Sequence, residues 1–363
     1  MIENISFETV GMLNQLFDKA ALAHSDATAV VYDDRHITFF ELQLYVDWMA
    51  GYFQSIALRP GQRVGILIPN SLELVITFFG LVRAGGVAVP LEVTGREDDL
   101  RTTLALAEIS AVITTPDYKN LLDKVLAEPV PGDAPPLPLT IAIFEEDNIV
   151  TLSNPARERK NAVADSARNG KAAAPGQLAD AVVSLPAPNG KAHASETGTI
   201  FTEHPAVMHL AAVKGSAPKL EMRAHADLVR QAEKTIGKLE LASSDRLLCA
   251  APLCQYDSLV PCLISVIAAG ATLVIPASSD WRTIQQTLAE ERITIFAGAA
   301  TTLVRLAEME FRQDGTEISL LRWCFCLGAP LSPEIGKNLN KKIGFQIWNV
   351  AESTNPAVIL PRL

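Results

Sequence analysis

The sequence predicts an α/β fold of two layered α/β subdomains with largely parallel sheets, and three observations support that class. Short strand-like runs that are apolar on both faces, such as VGILIP (64–69) and AVITT (111–115), alternate with segments of helical length. Strands of this kind are typical of parallel sheets covered by helices on both sides. The alternation returns beyond residue 200, with LLCAAPL (247–253) and ITIFAG (293–298). The length of 363 residues also fits about two domains at roughly 150 residues each.

The elements of the first half follow from apolar spacing, capping and turn residues. Thr38 and Glu41 form a T-x-x-E capping box, which predicts a helix that begins there. Asp33 and Asp34 predict the turn of a hairpin in TAVVYDDRHITF (28–39). We expect further helices at 9–23, 71–83, 95–108 and from 116 to 126, the capped helix ending near residue 56, and strands at 64–69, 85–91, 111–115 and 139–146.

The composition changes after about residue 129. Residues 154–197 are rich in Ala, Asn, Gly, Lys, Ser and Pro and contain no aromatic residue. Such a segment buries too little apolar area to offset its ordering entropy. We therefore expect a first subdomain at 1–130, a proline- and alanine-rich, partly disordered insertion at 131–200, and a second subdomain at 201–363. For the last region the pattern predicts strands at 206–212, 247–253, 271–276, 293–298, 321–328 and 344–350, and helices at 226–239, up to 270, 281–291, 301–312 and 333–341.

The charge balance argues against two classes of partner. With 31 Lys and Arg against 41 Asp and Glu, the net charge is −10 and the pI is about 5.2. Nucleic-acid binding and an anionic membrane surface both favour basic proteins, so we expect neither. The five cysteines form no CxxC pair, which favours buried thiols in a reducing compartment. Because the N-terminus also lacks the pattern of a signal peptide, we expect a cytoplasmic protein.

One uncharged stretch is long enough to cross a bilayer. It comprises the 22 residues between Asp257 and Asp280. Pro261, Gly270 and Pro276 interrupt it, and ATLVIP reads as a β-run. The stretch therefore predicts a helix, a glycine turn and a buried strand, and we expect no integral membrane segment.

Several motifs occur in an informative order. RPGQRVGILIPNSLELVITFFGLVRAGGVAVPL (59–91) precedes a lysine-containing loop, APL, GATLVIP, LRWCFCLGAPLSPE (321–334) and IWNVAEST. In this order they resemble the adenylate-forming (AMP-binding) superfamily of acyl-CoA synthetases, peptide-synthetase adenylation domains and luciferases. The resemblance covers residues 10–127 and 203–358. The resemblance implies that this chain has the fold of the N-terminal domain of these enzymes. The small β-barrel and the mobile C-terminal domain with its lysine, which follow in the family, are not expected in a sequence that ends at Leu363.

The resemblance implies a phosphate-binding loop at 211–219. In the family, a Ser/Thr/Gly-rich loop that ends in Pro-Lys wraps the ATP phosphates, since glycines admit the oxygens to backbone N–H groups. Pro218 and Lys219 match, whereas Val213 stands where a glycine is expected. We assign a catalytic role to Lys219 and cofactor binding to Lys214, Gly215 and Ser216. The alternative is a surface turn with two solvated lysines.

The resemblance also implies an adenine and metal end. Gly328, Ala329 and Pro330 match the backbone that lines the adenine, and Trp348 stands where a tyrosine stacks on the purine. Glu352 stands where the family's glutamate helps hold Mg²⁺, an ion that prefers oxygen ligands. We therefore assign Glu352 catalytic and metal-binding roles. The alternative is a core tryptophan and a surface glutamate.

Two positions match the acyl side of the family's site. His225 matches the histidine that follows the phosphate loop, and Gln255 takes the histidine position of a Pro-Leu-x-His-x-x-Gly segment. We assign both to the substrate pocket, with His225 also among the catalytic residues. The alternative for His225 is a helix N-terminal histidine in solvent.

These matches leave three hypotheses of function. The first is AMP-forming activation of a small carboxylic acid with ATP and Mg²⁺, followed by transfer to the thiol of CoA or a carrier protein, and weak or incomplete in this chain. In that mechanism Lys219 and Mg²⁺ on Glu352 neutralise charge during in-line attack on the α-phosphate. The second is a catalytically degenerate homologue that serves as a binding, regulatory or assembly subunit. The third, an unrelated doubly wound nucleotide-binding protein, lacks a GxGxxG or GxxxxGK[ST] motif.

Overall fold

A computed structural model describes most of the chain. The described residues are 11–92, 97–127, 140–145, 148–153, 181–184, 202–211, 219–308, 320–328, 332, 334–337, 341, 346–350 and 358–359. Their strands are β1 (Thr28–Tyr32), β2 (Arg35–Thr38), β3 (Arg63–Leu67), β4 (Val87–Pro90), β5 (Ala111–Thr114), β6 (Thr140–Glu145), β7 (Asn148–Ser153), β8 (Ala181–Ser184), β9 (Pro205–Ala211), β10 (Lys219–Ala224), β11 (Arg246–Cys249), β12 (Thr272–Ile275), β13 (Ile295–Ala299), β14 (Trp323–Leu327), β15 (Gln346–Val350) and β16 (Val358–Ile359).

The helices cover the faces of the sheets. They are α1 (Leu13–Ala23), α2 (Phe39–Ser55), α3 (Leu72–Arg83), α4 (Glu97–Leu106), α5 (Pro116–Ala127), α6 (His225–Leu239), α7 (256–268), α8 (Trp281–Glu290) and α9 (Ala300–Glu308). The predicted capping box of α2 is confirmed: Thr38 Oγ1 accepts from the Glu41 N–H at 3.2 Å, and the Glu41 carboxylate accepts from the Thr38 N–H at 2.8 Å. Ser71 caps α3 in a similar way, its Oγ accepting from the Leu74 N–H at 3.4 Å.

The described strands form two eight-stranded sheets. Sheet one has the order β10-β9-β4-β3-β5-β6-β7-β8, and sheet two has the order β16-β15-β14-β13-β11-β12-β1-β2. Neighbours in the centre of each sheet are parallel, whereas the hairpins β9–β10, β6–β7–β8, β1–β2 and β15–β16 make antiparallel edges. The expected α/β class with largely parallel sheets is therefore confirmed.

The strands pair across the boundaries expected at residues 130 and 200. The β1–β2 hairpin of the first subdomain joins sheet two, because β1 runs parallel to β12 with Val30 opposite Leu273. In the other direction, β9 and β10 join sheet one. Three strands from the expected insertion, β6, β7 and β8, extend sheet one as well. The remainder of that insertion, at 131–139, 146–147, 154–180 and 185–200, lies outside the described residues.

A single apolar core joins the two sheets. Helices α1, α2, α3, α6 and α7 contribute buried side chains to it together with strands of both sheets. Arg83 of α3 ties three of these helices, because its guanidinium pairs with Asp18 of α1 and Asp47 of α2 and lies 5.4 Å from the Phe17 ring centre. Four of the five cysteines are buried free thiols, as expected, and the fifth, Cys254, is partly buried.

The long uncharged stretch folds as its pattern predicts. Helix α7 is followed by a turn at Gly270, where φ is +72°, and then by the buried strand β12. The centre of α7, Leu259–Ile264, is π-helical and contains Pro261, whose missing N–H removes one donor of the α-helical ladder. Ser265 Oγ donates to the Val260 carbonyl at 2.8 Å in this turn. None of the helices that the structure describes has the length and apolar character of a membrane span.

Candidate active site

The carboxyl ends of the parallel strands of both sheets meet in one region. The Asn70 side chain, which follows β3 of sheet one, donates to the Ala251 carbonyl at 2.6 Å and accepts from the Leu253 N–H at 2.7 Å in the segment after β11 of sheet two. Beside it, Gln255 Nε2 donates to the carboxylate of Glu92, which follows β4, at 2.9 Å. In open α/β sheets, ligands bind outside the carboxyl ends of the strands. Gln255 is exposed here, on the segment that joins β11 to α7.

The β9–β10 hairpin brings Lys219 to the same edge of sheet one. Strand β9 runs parallel to β4, so both strands end at that edge, and Ala211 pairs with Lys219 where the hairpin opens. Lys219 is exposed. Lys214, Gly215 and Ser216, which were predicted to bind phosphate, lie outside the described residues. The structure therefore places the lysine that follows the predicted loop at the carboxyl edge where the two sheets meet.

The predicted adenine end lies at the carboxyl edge of sheet two. Gly328 directly follows β14 with φ +75°, and among the described residues no atom outside its chain neighbours lies within 4 Å of a Cβ placed on it. Trp348 lies in the neighbouring strand β15, opposite Phe325 of β14, and Leu327 pairs with Val350 at the strand ends. Strand β15 therefore ends at Val350, next to Gly328. Ala329, Pro330 and Glu352 themselves lie outside the described residues.

His225 begins α6 and is buried, with 1% of its surface exposed. Its Nδ1 accepts a hydrogen bond from the Leu13 N–H of α1 at 3.3 Å. Burial, and next the nearby His204, lower the pKa of His225 to about 4, so its imidazole is neutral at pH 7. The alternative of a solvent-exposed histidine is wrong, because α1 packs over this end of α6. His225 joins two helices through the nitrogen that faces α1.

The sequence did not predict a set of polar residues that lies on the β9–β10 hairpin and on the helices beside it. We call this set the Tyr256 cluster, and it comprises His209, Glu221, Arg223, Gln231 and Tyr256. The His209 and Tyr256 rings stack with centres 4.1 Å apart and planes 7° apart, and Tyr256 OH donates to Gln231 Oε1 at 2.8 Å. The Arg223 guanidinium pairs with Glu221 and lies 5.3 Å from the centre of the Tyr256 ring. An alternation of charged residues in KLEMRA, next to a strand that carries a histidine, was the available signal.

Burial sets the protonation of this cluster. It lowers the pKa of His209, and the positive charge of Arg223 lowers it further. Burial likewise raises the pKa of Tyr256, so its phenol stays protonated and donates to Gln231. His209 Nε2 lies 4.0 Å from a Glu221 carboxylate oxygen, beyond hydrogen-bond distance. Among the residues that the structure describes, no three His, Cys, Asp or Glu side chains are grouped as a metal site.

A family model described as "AMP-binding enzyme" matches residues 17–358. The chain belongs to the AMP-binding enzyme family. Feruloyl-CoA synthase of Amycolatopsis sp is 24% identical over 338 residues, which are 93% of this chain and 58% of that protein. The chain thus spans little more than half the length of that curated relative. Members of the family use ATP or AMP.

Several solved structures share the fold of this chain. An anthranilate CoA ligase in complex with anthranoyl-AMP matches with a TM-score of 0.71 and 20% identity, over 93% of this chain and 58% of that one. The N-terminal domain of FACL13 from Mycobacterium tuberculosis matches with a TM-score of 0.69 and 19% identity, over 93% of this chain and 75% of that one. The expected N-terminal domain architecture of adenylate-forming enzymes is confirmed.

Proposed function

We propose that this chain carries the site for AMP-forming activation of a small carboxylic acid. The acid would attack the α-phosphate of ATP to give an acyl-adenylate and pyrophosphate. The thiol of CoA or a carrier protein would then take the acyl group as a thioester and release AMP. One observation carries the proposal. Lys219 and Gly328 lie at the carboxyl edges of two different sheets, and the Asn70 hydrogen bonds join those edges.

The residues at these edges suit the charges of the reaction. The exposed Lys219 ammonium offers a positive charge to the phosphates, and the proposed loop residues Lys214, Gly215 and Ser216 would add backbone and side-chain donors. Gly328 has no side chain to fill the end of β14, where Ala329, Pro330 and Trp348 would line the adenine. Mg²⁺ held by the Glu352 carboxylate would neutralise charge on the phosphates.

The acyl side of the proposal rests on the segment after β11. Gln255 is exposed and fixed to Glu92, so its amide lies at the junction of the two sheets, where an acid would approach the α-phosphate. His225 is buried against α1. Its proposed contribution to the acyl pocket and to catalysis is therefore indirect, and consists in holding α6 in place. The Gln255 amide does not ionise in the ordinary pH range. This part of the proposed pocket wall therefore carries no charge that changes with pH.

The test is nucleotide binding and pyrophosphate exchange by the wild type and Lys219→Ala. We expect ATP with Mg²⁺ to raise the melting temperature of the wild type and Lys219→Ala to abolish that shift. Removing one preorganised donor from an active site typically costs ~10²–10³ in rate, so exchange with a responsive acid should fall by that factor. The matched control is Lys234→Ala, an exposed lysine on α6.

The acid panel should include ferulate, anthranilate, fatty acids and amino acids, since the similar proteins differ in substrate. An ATP shift that is unchanged in Lys219→Ala would contradict the phosphate site. A wild type that binds ATP but exchanges pyrophosphate with no acid would instead support the degenerate homologue.

A further inference from the structure

Lys219 shares one face of β10 with a carboxylate that is already paired. Alternate residues of a strand point to the same side, so Lys219, Glu221 and Arg223 lie on one face of the hairpin. The strand pairing places His209 directly opposite Glu221 on that face. The Glu221 carboxylate pairs with Arg223, whereas the described residues offer Lys219 no ion-pair partner. One acidic residue thus stands between two cationic ones.

The geometry also permits the opposite pairing. Residues two apart on a strand are separated by about 7 Å, a distance that a lysine and a glutamate side chain span together. A Lys219–Glu221 pair would neutralise the ammonium that we assign to the phosphates. It would also place a carboxylate close to an incoming anion, where like charges repel.

Arg223 is better placed than Lys219 to hold the carboxylate. Its guanidinium lies against the Tyr256 ring, 5.3 Å from the ring centre, and Tyr256 is fixed by the His209 stack and by Gln231. Arginine stacks on aromatic rings and binds carboxylates with a planar set of donors, whereas lysine offers a flexible point charge. The Arg223 side chain is also only 27% exposed, so water screens this pair less than it would a pair at the hairpin end.

We propose that Arg223 is a positioning residue: it sequesters the Glu221 carboxylate against the Tyr256 cluster and so leaves Lys219 free for the phosphates of the nucleotide. This role rests on the proposed function of Lys219 and deepens it. It requires that the effect of losing Arg223 depend on the presence of the Glu221 carboxylate.

The test compares the wild type with Arg223→Leu, Glu221→Gln and the double variant. The first measurement needs no nucleotide: the rate at which N-acetoxysuccinimide acetylates Lys219, from peptide mass spectrometry, relative to Lys234 in the same sample. We expect Arg223→Leu to slow this rate about two- to five-fold, the range that an exposed ion pair supports. The second measurement is the Kd for ATP with Mg²⁺, which should rise by the same factor.

The two remaining variants separate sequestration from a simple change of charge. Glu221→Gln alone should leave both measurements unchanged, because Arg223 already neutralises that carboxylate, and the double variant should return both to wild-type values. Arg230→Leu, which breaks the exposed Arg230–Asp227 pair on α6, controls for the loss of one positive charge.

Three results would overturn the proposal. They are an unchanged acetylation rate in Arg223→Leu, a double variant that stays impaired although its circular dichroism is native, and additive effects in which Glu221→Gln strengthens ATP binding as much as Arg223→Leu weakens it. If the wild type binds no ATP, the proposed function fails, whereas the acetylation rates still decide the role of Arg223.

Discussion

Asn70 offers a direct test of how the two carboxyl edges are joined. Its side chain makes two hydrogen bonds to backbone groups after β11, as a donor to Ala251 and an acceptor from Leu253. Ala251 and Leu253 are both buried, with 3% and 0% of their surface exposed. Asn70→Leu keeps the size of the side chain and removes both bonds. The Leu253 N–H then loses its partner, and the Ala251 carbonyl keeps only the weak donor of the Cys249 thiol, at 3.4 Å.

The expected cost follows from these two bonds. A hydrogen bond contributes about 0.5–1.5 kcal/mol net, and an unsatisfied buried group costs about 1–3 kcal/mol. We therefore expect Asn70→Leu to lower the free energy of unfolding by about 2–3 kcal/mol. Asn70→Asp should be similarly costly at pH 7, because it keeps the Leu253 bond but sets a carboxylate oxygen against the Ala251 carbonyl. That loss should shrink at acidic pH, where the protonated acid donates to Ala251.

The assay is urea unfolding followed by circular dichroism, at pH 7 and again near pH 4.5, with the variants compared at each pH. Gln286→Leu is the matched control, since its amide bonds only to the exposed Glu290 and its loss should cost less than about 0.5 kcal/mol. An Asn70→Leu protein within 0.5 kcal/mol of the wild type would refute the reasoning. So would an Asn70→Asp protein whose deficit is the same at both pH values.

Two further predictions concern buried charge. The Arg322 guanidinium donates two hydrogen bonds to the Asp245 carboxylate, which is 3% exposed, and also donates to two carbonyls at the end of α6. Arg322→Ala should therefore lower the free energy of unfolding in urea by about 3 kcal/mol. A cost no larger than that of Arg230→Ala would contradict this. His225 has a pKa of about 4 when folded against about 6.5 when unfolded, so the unfolded chain takes up the proton first. Stability from this group is therefore complete above pH 6.5 and falls by about 3 kcal/mol towards pH 4. His225→Asn, whose amide oxygen still accepts from α1, should remove that slope in pH-dependent unfolding, and an unchanged slope would disprove it.

Local patterns in the sequence predict most of the individual elements. Thr38 and Glu41 predict the start of α2 because both halves of a capping box lie within four residues. Apolar runs predict the central strands, since a strand buried on both faces consists almost entirely of apolar residues. Strand β10 escapes this reasoning: KLEMRA alternates charged and apolar residues on a half-exposed edge, and its apolar content alone is weak.

Strand pairing is the part of the fold that local patterns miss. The β1–β2 hairpin looks like part of the first subdomain because it is close in sequence to β3. In the structure it joins β12, and the Thr272 hydroxyl donates to the Thr28 carbonyl at 2.8 Å across 244 positions of sequence. Parallel strands are joined by long crossover connections and not by a short turn, so no local motif in the sequence shows which strands pair. Their order is decided by which apolar faces are buried together, and that is a property of the whole chain.

In the site, too, the sequence predicts where residues lie along the strands but does not predict what surrounds them. Matching residues to family motifs places Lys219 and Gly328 at strand ends, where the structure has them, because the motifs follow the order of the strands. The same matching gives no environment for His225, whose burial depends on α1 more than 200 residues earlier. Nor does it indicate that Glu221 is neutralised, since that requires a tyrosine ring from α7 to hold Arg223 in place. Under the role proposed for Arg223, substitutions of Tyr256 in α7, which need not touch a nucleotide, should still weaken binding of ATP at Lys219.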